Sequence, residues 1–408
     1  MGARAQKAES FMSVASTKMK DDALEAIANA LVEKSSAIIS QNSIDLDNAV
    51  ANDMSVAMQD RLMLNEARIK DIADAVRQLT KLADPVGEVL GGGVRPNGLQ
   101  IVKTRVPLGV IAIIYESRPN VTVDAATLCL KAGNAVILRG GKEAMYSNRC
   151  LVEIMREALF SVGFPSDAVQ LVQDTSHESA NELMKCSRYI DVLIPRGGAG
   201  LIKACVENAT VPVIQTGTGN CHVFVDKSAD LEMAVNIVDN GKTSRPSVCN
   251  AVESLLVHKD IAEDFLPMIK NRLDKHKVAF RGCPECCRIL RNISAATDED
   301  YATEFLDYVI AAKVVDSVDD AIEHINKYST KHSECIVTSD INSAMKFQKL
   351  VDAAAVYVNA STRFTDGGVF GFGAEIGIST QKLHARGPMG LSELTTIKYL
   401  ITGNGQIR

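Results

Sequence analysis

The segment Lys242-Thr243-Ser244-Arg245-Pro246-Ser247-Val248-Cys249-Asn250 places a thiol in a polar, cationic stretch just ahead of the apolar run Ser254-Leu255-Leu256-Val257. Cysteine attacks as its thiolate, and nearby cations or helix N-terminal amides make that charge less costly. Arg245 and Lys242 therefore set Cys249 apart from the rest of the ten cysteines, most of which read as small core residues. Cys249 is the expected nucleophile. The cluster Cys283-Pro284-Glu285-Cys286-Cys287 resembles half a zinc site, but no second Cys or His pair stands at finger spacing, so it reads as a loop with incidental thiols.

The elements that must position this thiol follow from periodicity. Leu24, Ile27, Ala28 and Leu31 recur at helical spacing, and amphipathic helices continue to about Leu82. Asp84-Pro85 ends that lead-in, and Gly91-Gly92-Gly93 and Pro96-Asn97-Gly98 punctuate two strands, Val86–Leu90 and Leu99–Val106, which form a projecting hairpin. From Pro107 the pattern becomes apolar runs separated by helices: Gly109–Tyr115, a helix Val123–Lys131, then Ala135–Leu138, Ala168–Val172, Ile190–Ile194 and Val211–Ile214. Buried strands alternating with helices mean βαβ units and a parallel sheet. A helix Leu231–Asp239 opens a second α/β region that runs to Val358, with Cys249 in the turn after it.

Two glycine-bearing turns follow strands of the first sheet. Leu138-Arg139-Gly140-Gly141-Lys142 and Pro195-Arg196-Gly197-Gly198-Ala199-Gly200-Leu201 can each bring backbone amides up to a phosphate, the second at the start of a helix Leu201–Glu207. As a pair they favour a dinucleotide. Lys142 favours NADP(H), because a cation near the adenosine ribose suits a 2′-phosphate where an acid would suit NAD. The loop Tyr357–Gly368, which carries Arg363, is suited to clamping a small anion.

The 408 residues are 46% hydrophobic and 23% charged with a formal net charge of −6, which fits a globular protein of two or three domains. Scattered Lys and Arg argue against nucleic acid, and no apolar run approaches membrane-spanning length. The N-terminal residues lack a signal core, and dispersed cysteines fit free thiols, so a cytoplasmic protein is expected.

The chain resembles the γ-glutamyl phosphate reductases (glutamate-5-semialdehyde dehydrogenases), a branch of the aldehyde dehydrogenase superfamily. The most specific piece is Val315 through Ile336, which contains Ala321-Ile322-Glu323-His324-Ile325 and His332-Ser333-Glu334. Tyr115 through Asp124, the Arg139 and Arg196 turns, Tyr357 through Gly368, and Gln381 through Gly390 also resemble family blocks, and Cys249 falls where the family keeps its nucleophile. The resemblance implies NADPH-dependent reduction of L-γ-glutamyl 5-phosphate to L-glutamate 5-semialdehyde through a Cys249 thioester, the second step of proline synthesis from glutamate. It implies Cys249 and Asn250 as catalytic, and Arg118, Asn120, His222, Arg245 and Arg363 around the substrate. Arg139, Gly140, Lys142, Arg196, Gly197, Gly198, Gly200 and Glu304 would serve the cofactor, and no metal is implied. Gln215 stands where hydrolytic relatives carry a water-activating Glu, and an acyl-enzyme without that base survives to exchange with phosphate.

The implied architecture has a Rossmann-like NADP-binding domain (1–83, 107–228 and 370–389), a catalytic thiol domain (229–369), and an oligomerisation element (84–106 and 390–408) built from the hairpin and a strand Thr395–Thr402. A hairpin with open edges needs a partner strand, so a homodimer or homotetramer is expected. The functional partner is glutamate 5-kinase, either as a separate protein or lost from a fused chain of which this is a fragment. Competing readings are a hydrolytic or CoA-acylating aldehyde dehydrogenase and a non-catalytic protein on the same fold.

Overall fold

The computed structural model describes residues 1–408, the side chain of Ala57 excepted. The chain divides into two compact units, Met1–Thr216 with Gly371–Gly377 and Met389–Arg408, and Gly217–Phe370 with Ile378–Pro388.

In the first unit, Ser16 opens the helix Thr17–Glu33 by accepting a hydrogen bond from the Met19 amide at 3.3 Å. Leu24, Ile27, Ala28 and Leu31 are fully buried along one face, which packs on the helices Glu66–Thr80 and Met145–Ser161. Leu24, Ile27 and Leu31 each contribute roughly 1.5–3 kcal/mol by leaving water. Lys20 Nζ meets Asp84 Oδ2 at 2.5 Å in a buried pair that fixes the helix to the residue before Pro85.

The cofactor-side sheet is parallel, in the order Val169–Leu171, Ala135–Arg139, Val110–Tyr115, Val192–Arg196. Val110–Tyr115 is buried throughout, as a continuous apolar run in a central strand requires. The strand expected at Val211–Ile214 does not form, and a single bridge joins Val213 to Leu193. Pro212 accepts from the Leu193 amide but has no N–H with which to continue a ladder.

Val89–Val94, Gln100–Pro107 and Thr395–Thr402 form an antiparallel sheet with Gln100–Pro107 central. The three glycines lie inside the first strand rather than after it, at a bulge between Val89 and Gly91, because cross-strand pairing outweighs their poor strand propensity.

The second unit is built on a seven-stranded, all-parallel sheet ordered Ser294–Ala295, Ala279–Gly282, Val309–Val315, Val252–His258, Cys221–Val225, Ser333–Val337, Ala355–Val358. Alternate residues supply two cores: Val223, Val225, Leu255 and Val257 on one face, Phe224 and Leu256 on the other. Residues 217–228 were expected with the cofactor domain, yet Cys221–Val225 pairs along both edges inside this sheet, so the unit boundary falls at Thr216/Gly217. Residues 378–388, also expected there, belong to the second unit as well. Among the described residues no helix is long and apolar enough to cross a membrane.

Candidate active site

Asp230 caps the helix Leu231–Thr243, accepting from the Met233 amide at 2.9 Å, and the chain then turns into the fully buried strand Val252–His258. Cys249 lies in that turn and is partly exposed. The turn is locked from below. A Cβ on Gly219 would lie 1.4 Å from the Cys249 carbonyl oxygen, so the close approach of the two segments admits only glycine. The buried Cys221 thiol donates to the same carbonyl at 3.2 Å, and burial raises its pKa and keeps it protonated for that role. The Gly219 amide is itself fixed by Glu304 Oε1 at 2.7 Å.

Two guanidinium groups share the surroundings of this thiol. Arg245 is exposed on the same turn. Arg363 reaches in from the 361–365 loop, donating through Nε to Ser244 Oγ at 3.1 Å and through Nη1 to Asn250 Oδ1. Burial first, then the Arg245 charge, holds Arg363 below the ordinary arginine range, while Cys249 acts on it in the opposite sense. An arginine remains charged under such a shift, so the turn presents paired cations to an anion.

Asn250 was expected among the catalytic residues. Its Nδ2 instead donates to the carbonyls of Arg363 at 3.2 Å and Thr365 at 3.0 Å, and its own carbonyl accepts from Thr362 Oγ1 at 2.7 Å. It clamps the Arg363 loop to the thiol turn and acts as a positioning residue.

His222 is fully buried, with its backbone amide 2.8 Å and its Nδ1 3.0 Å from Glu334 Oε2, so its ring serves the core rather than the substrate. Lys242 does not face the thiol, because it is buried in an ion pair with Glu253. Desolvation pushes Glu253 up to about 7 and pulls Lys242 down. Glu304, expected at the cofactor, is held by Gly219 and burial raises its pKa.

In the first unit, Arg139 donates through Nη2 to the carbonyls of Thr175 at 2.7 Å and Ser176 at 3.0 Å, which fixes that end of its guanidinium to protein. Gly140 has no room for a Cβ beside Asn148, whereas Lys142 projects into solvent. Gly198 caps the helix Ala199–Asn208, and its amide donates to Glu116 Oε2 at 2.8 Å. That carboxylate would collide with any Cβ on Gly197, while Gly200 faces open space. A helix N-terminus that holds a carboxylate has the amide and field that also suit a phosphate. The exposed Lys142 cation and this amide are the groups of these turns suited to a phosphate.

Arg118 occupies the N-cap position of the helix Pro119–Lys131, and Asn120 Nδ2 donates to Asp124 Oδ2 at 3.0 Å. Burial pushes Asp124 up to about 6, with the Asn120 amide and the Arg196 charge pulling back. The structure brings together Cys249, Asn250, Arg245 and Arg363 in one unit, and carries Arg118, Asn120 and the glycine turns in the other. Sequence reasoning missed Gly219, Cys221, Ser244 and Glu116. Ser244 and Glu116 lie inside the Lys242–Asn250 and Tyr115–Asp124 segments already quoted, whereas Gly219 and Cys221 only follow Gln215 closely in the chain.

The aldehyde dehydrogenase family model matches residues 3–281 and 297–400. A γ-glutamyl phosphate reductase from Clostridium beijerinckii is 60% identical over 407 residues, covering 100% of this chain and 98% of that relative. The crystal structure of a γ-glutamyl phosphate reductase from Thermotoga maritima matches with a TM-score of 0.98 at 50% identity, covering 100% of this chain and 98% of that one. An acetylating aldehyde dehydrogenase from Geobacillus thermoglucosidasius, 18% identical, shares the fold at a TM-score of 0.70, covering 100% and 96% of the two chains. The α/β, aldehyde-dehydrogenase-like fold expected from the sequence is borne out.

Proposed function

The chain belongs to the γ-glutamyl phosphate reductases of the aldehyde dehydrogenase family, and from that premise we propose that it reduces L-γ-glutamyl 5-phosphate to L-glutamate 5-semialdehyde with NADPH, through a thioester on Cys249. The observation that carries this reading is a partly exposed thiol on a turn bearing Arg245, with Arg363 pinned to that turn by Ser244 and Asn250.

The Cys249 thiolate attacks the acyl carbon, forming a C–S bond as the C–O bond to phosphate breaks. Arg245 and Arg363 neutralise the departing phosphate, for which a guanidinium is a permanent, fork-shaped partner. Amides of the thiol turn stabilise the oxyanion. Asn250 holds Arg363 in place. NADPH, held by Lys142 and the Gly197–Gly200 turn, would supply the hydride that turns the thioester into a thiohemiacetal. Proton return to the Cys249 sulfur then releases aldehyde and restores the enzyme. Gln215, in place of a water-activating Glu, supports exchange of the acyl group with phosphate over hydrolysis.

In this role the enzyme takes its substrate from a glutamate 5-kinase and serves the second step of proline synthesis in the cytoplasm. The three-stranded sheet, with Tyr399 56% and Ile401 60% exposed, supports assembly into a homodimer or homotetramer. The test runs the reaction backwards, supplying glutamate 5-semialdehyde and NADP with or without phosphate and following NADPH absorbance. Turnover that requires phosphate is expected. Equal turnover without phosphate would overturn the acyl-phosphate assignment in favour of hydrolysis.

A further inference from the structure

The segment Cys283–Cys287 takes no part in the chemistry above, and its thiols are not incidental. Cys283 is the N-cap residue of the helix Pro284–Ile289, and its Sγ accepts from the Cys286 amide at 3.5 Å and from the Val314 amide at 3.4 Å. The Cys286 sulfur lies 3.6 Å from the Cys283 sulfur, within hydrogen-bonding distance for a thiol pair. Cys287 turns away, donating to the Gly282 carbonyl at 3.4 Å. Among the described residues no group of three or more His, Cys, Asp or Glu is placed to hold a metal.

We propose that Cys283 and Cys286 are a redox-active dithiol, which low-molecular-weight disulfides such as oxidised glutathione convert reversibly into an intramolecular disulfide. The C-x-x-C spacing already brings the sulfurs within about 1.5 Å of the 2.05 Å bonding distance. The two thiols are unequal, as a nucleophile and its resolving partner must be. Cys283 is partly exposed, and hydrogen bonds from Cys286 and from backbone amides hold it down to about 5. Cys286 is fully buried, and its hydrogen bond to Cys283 together with desolvation keeps it protonated. That is the microenvironment of a reactive cysteine beside an unreactive one.

The Cys283 thiolate attacks the small disulfide, whose S–S bond breaks to give a mixed disulfide and one departing thiolate. Cys286, losing its proton to solvent, then attacks the Cys283 sulfur. The protein disulfide forms as the second small thiolate leaves. The dithiol has lost two electrons and two protons, and the small disulfide has gained the electrons.

The test equilibrates the full-length protein in mixtures of oxidised and reduced glutathione, blocks remaining thiols with N-ethylmaleimide and digests with trypsin. Arg281 and Arg288 bracket a peptide, Gly282–Arg288, that carries all three cysteines. The expected product is that peptide two hydrogens lighter with a single maleimide on Cys287, reverting to three maleimides after dithiothreitol. Cys283→Ser keeps a capping side chain, so the protein folds but the product is lost. On wild-type protein at pH 6, Cys283 should react with maleimide at least about tenfold faster than Cys150, which burial and Glu153 hold in the thiol form. Three maleimides at every glutathione ratio, glutathione retained on Cys283, a bond between Cys286 and Cys287, or equal rates at Cys283 and Cys150 would each overturn the proposal.

Discussion

The thiol turn and the glycine turns differ in how closely they are packed. Around Cys249 the packing is close: Gly219 presses on its carbonyl, Cys221 donates to it, and Asn250 ties the turn to the Arg363 loop at four points. The glycine turns of the first unit are closed only in part: Gly140 abuts Asn148 and Gly197 abuts Glu116, which also takes the Gly198 amide, but Gly200 faces empty space and Lys142 solvent. The difference fits the roles proposed for the two turns. A nucleophile has to meet one carbon at bonding distance, and misplacement by about 1 Å costs on the order of 10²-fold in rate. A dinucleotide cradle has only to offer amides, a cation and room, because its ligand completes the geometry.

The contrast is broken most completely by removing the nucleophile. Cys249→Ser should lower kcat by roughly 10⁴-fold, since the hydroxyl is not ionised at neutral pH, while fluorescence titration shows NADPH binding unchanged. Gly219→Ala leaves every reactive group in place yet forces the Cys249 peptide to move. Steady-state kinetics should give a kcat loss of about 10²-fold with cofactor affinity retained. Arg363→Lys keeps the charge but loses the fork shared by Ser244 and Asn250. A fall of about 10–10²-fold in kcat/KM is expected in the phosphate-dependent reverse assay, mostly through KM for phosphate. On the open side, Lys142→Glu should raise KM for NADPH about tenfold and change that for NADH little, with kcat preserved.

A separate effect, on stability rather than activity, concerns buried histidines of the second unit. His332 and His324 are buried, and desolvation pulls them down to about 4 and about 3. A depressed folded-state pKa means the native state prefers the neutral ring, so this stability is complete above about 6.5 and is lost as pH falls toward 4. Acidification from pH 6.5 to 5 should cost on the order of 2 kcal/mol per histidine, read as a falling urea midpoint. His332→Gln should flatten that slope.

Legibility in the sequence divides along the same line. Strands such as Val110–Tyr115 and Val252–His258, buried on both faces, are continuous apolar runs and can be read locally. That Cys249 and Arg245 share one turn was legible because they stand close together in the chain. What was not legible depends on distant partners. Lys242 looks like a cation for the thiol until Glu253 is seen beside it. His222 looks available until Glu334 captures its ring, and Arg139 looks unclaimed until the carbonyls of Thr175 and Ser176 fix one end of its guanidinium. The strand Cys221–Val225 was assigned to the wrong unit because its pairing partners, Val252–His258 and Ser333–Val337, lie far along the chain and decide its sheet. Charged and hydrogen-bonding side chains declare their type in sequence, but only the fold says which partner claims them.

The central claim is that the acyl group rests on Cys249, and a phosphate-free single-turnover experiment addresses it most directly. Enzyme mixed with glutamate 5-semialdehyde and excess NADP should form one equivalent of NADPH per active site and then stall. Peptide mass spectrometry should find a γ-glutamyl group on Cys249, and added phosphate should restart turnover. Continuous NADPH formation without phosphate, or a burst with the acyl group on any other residue, would contradict the account.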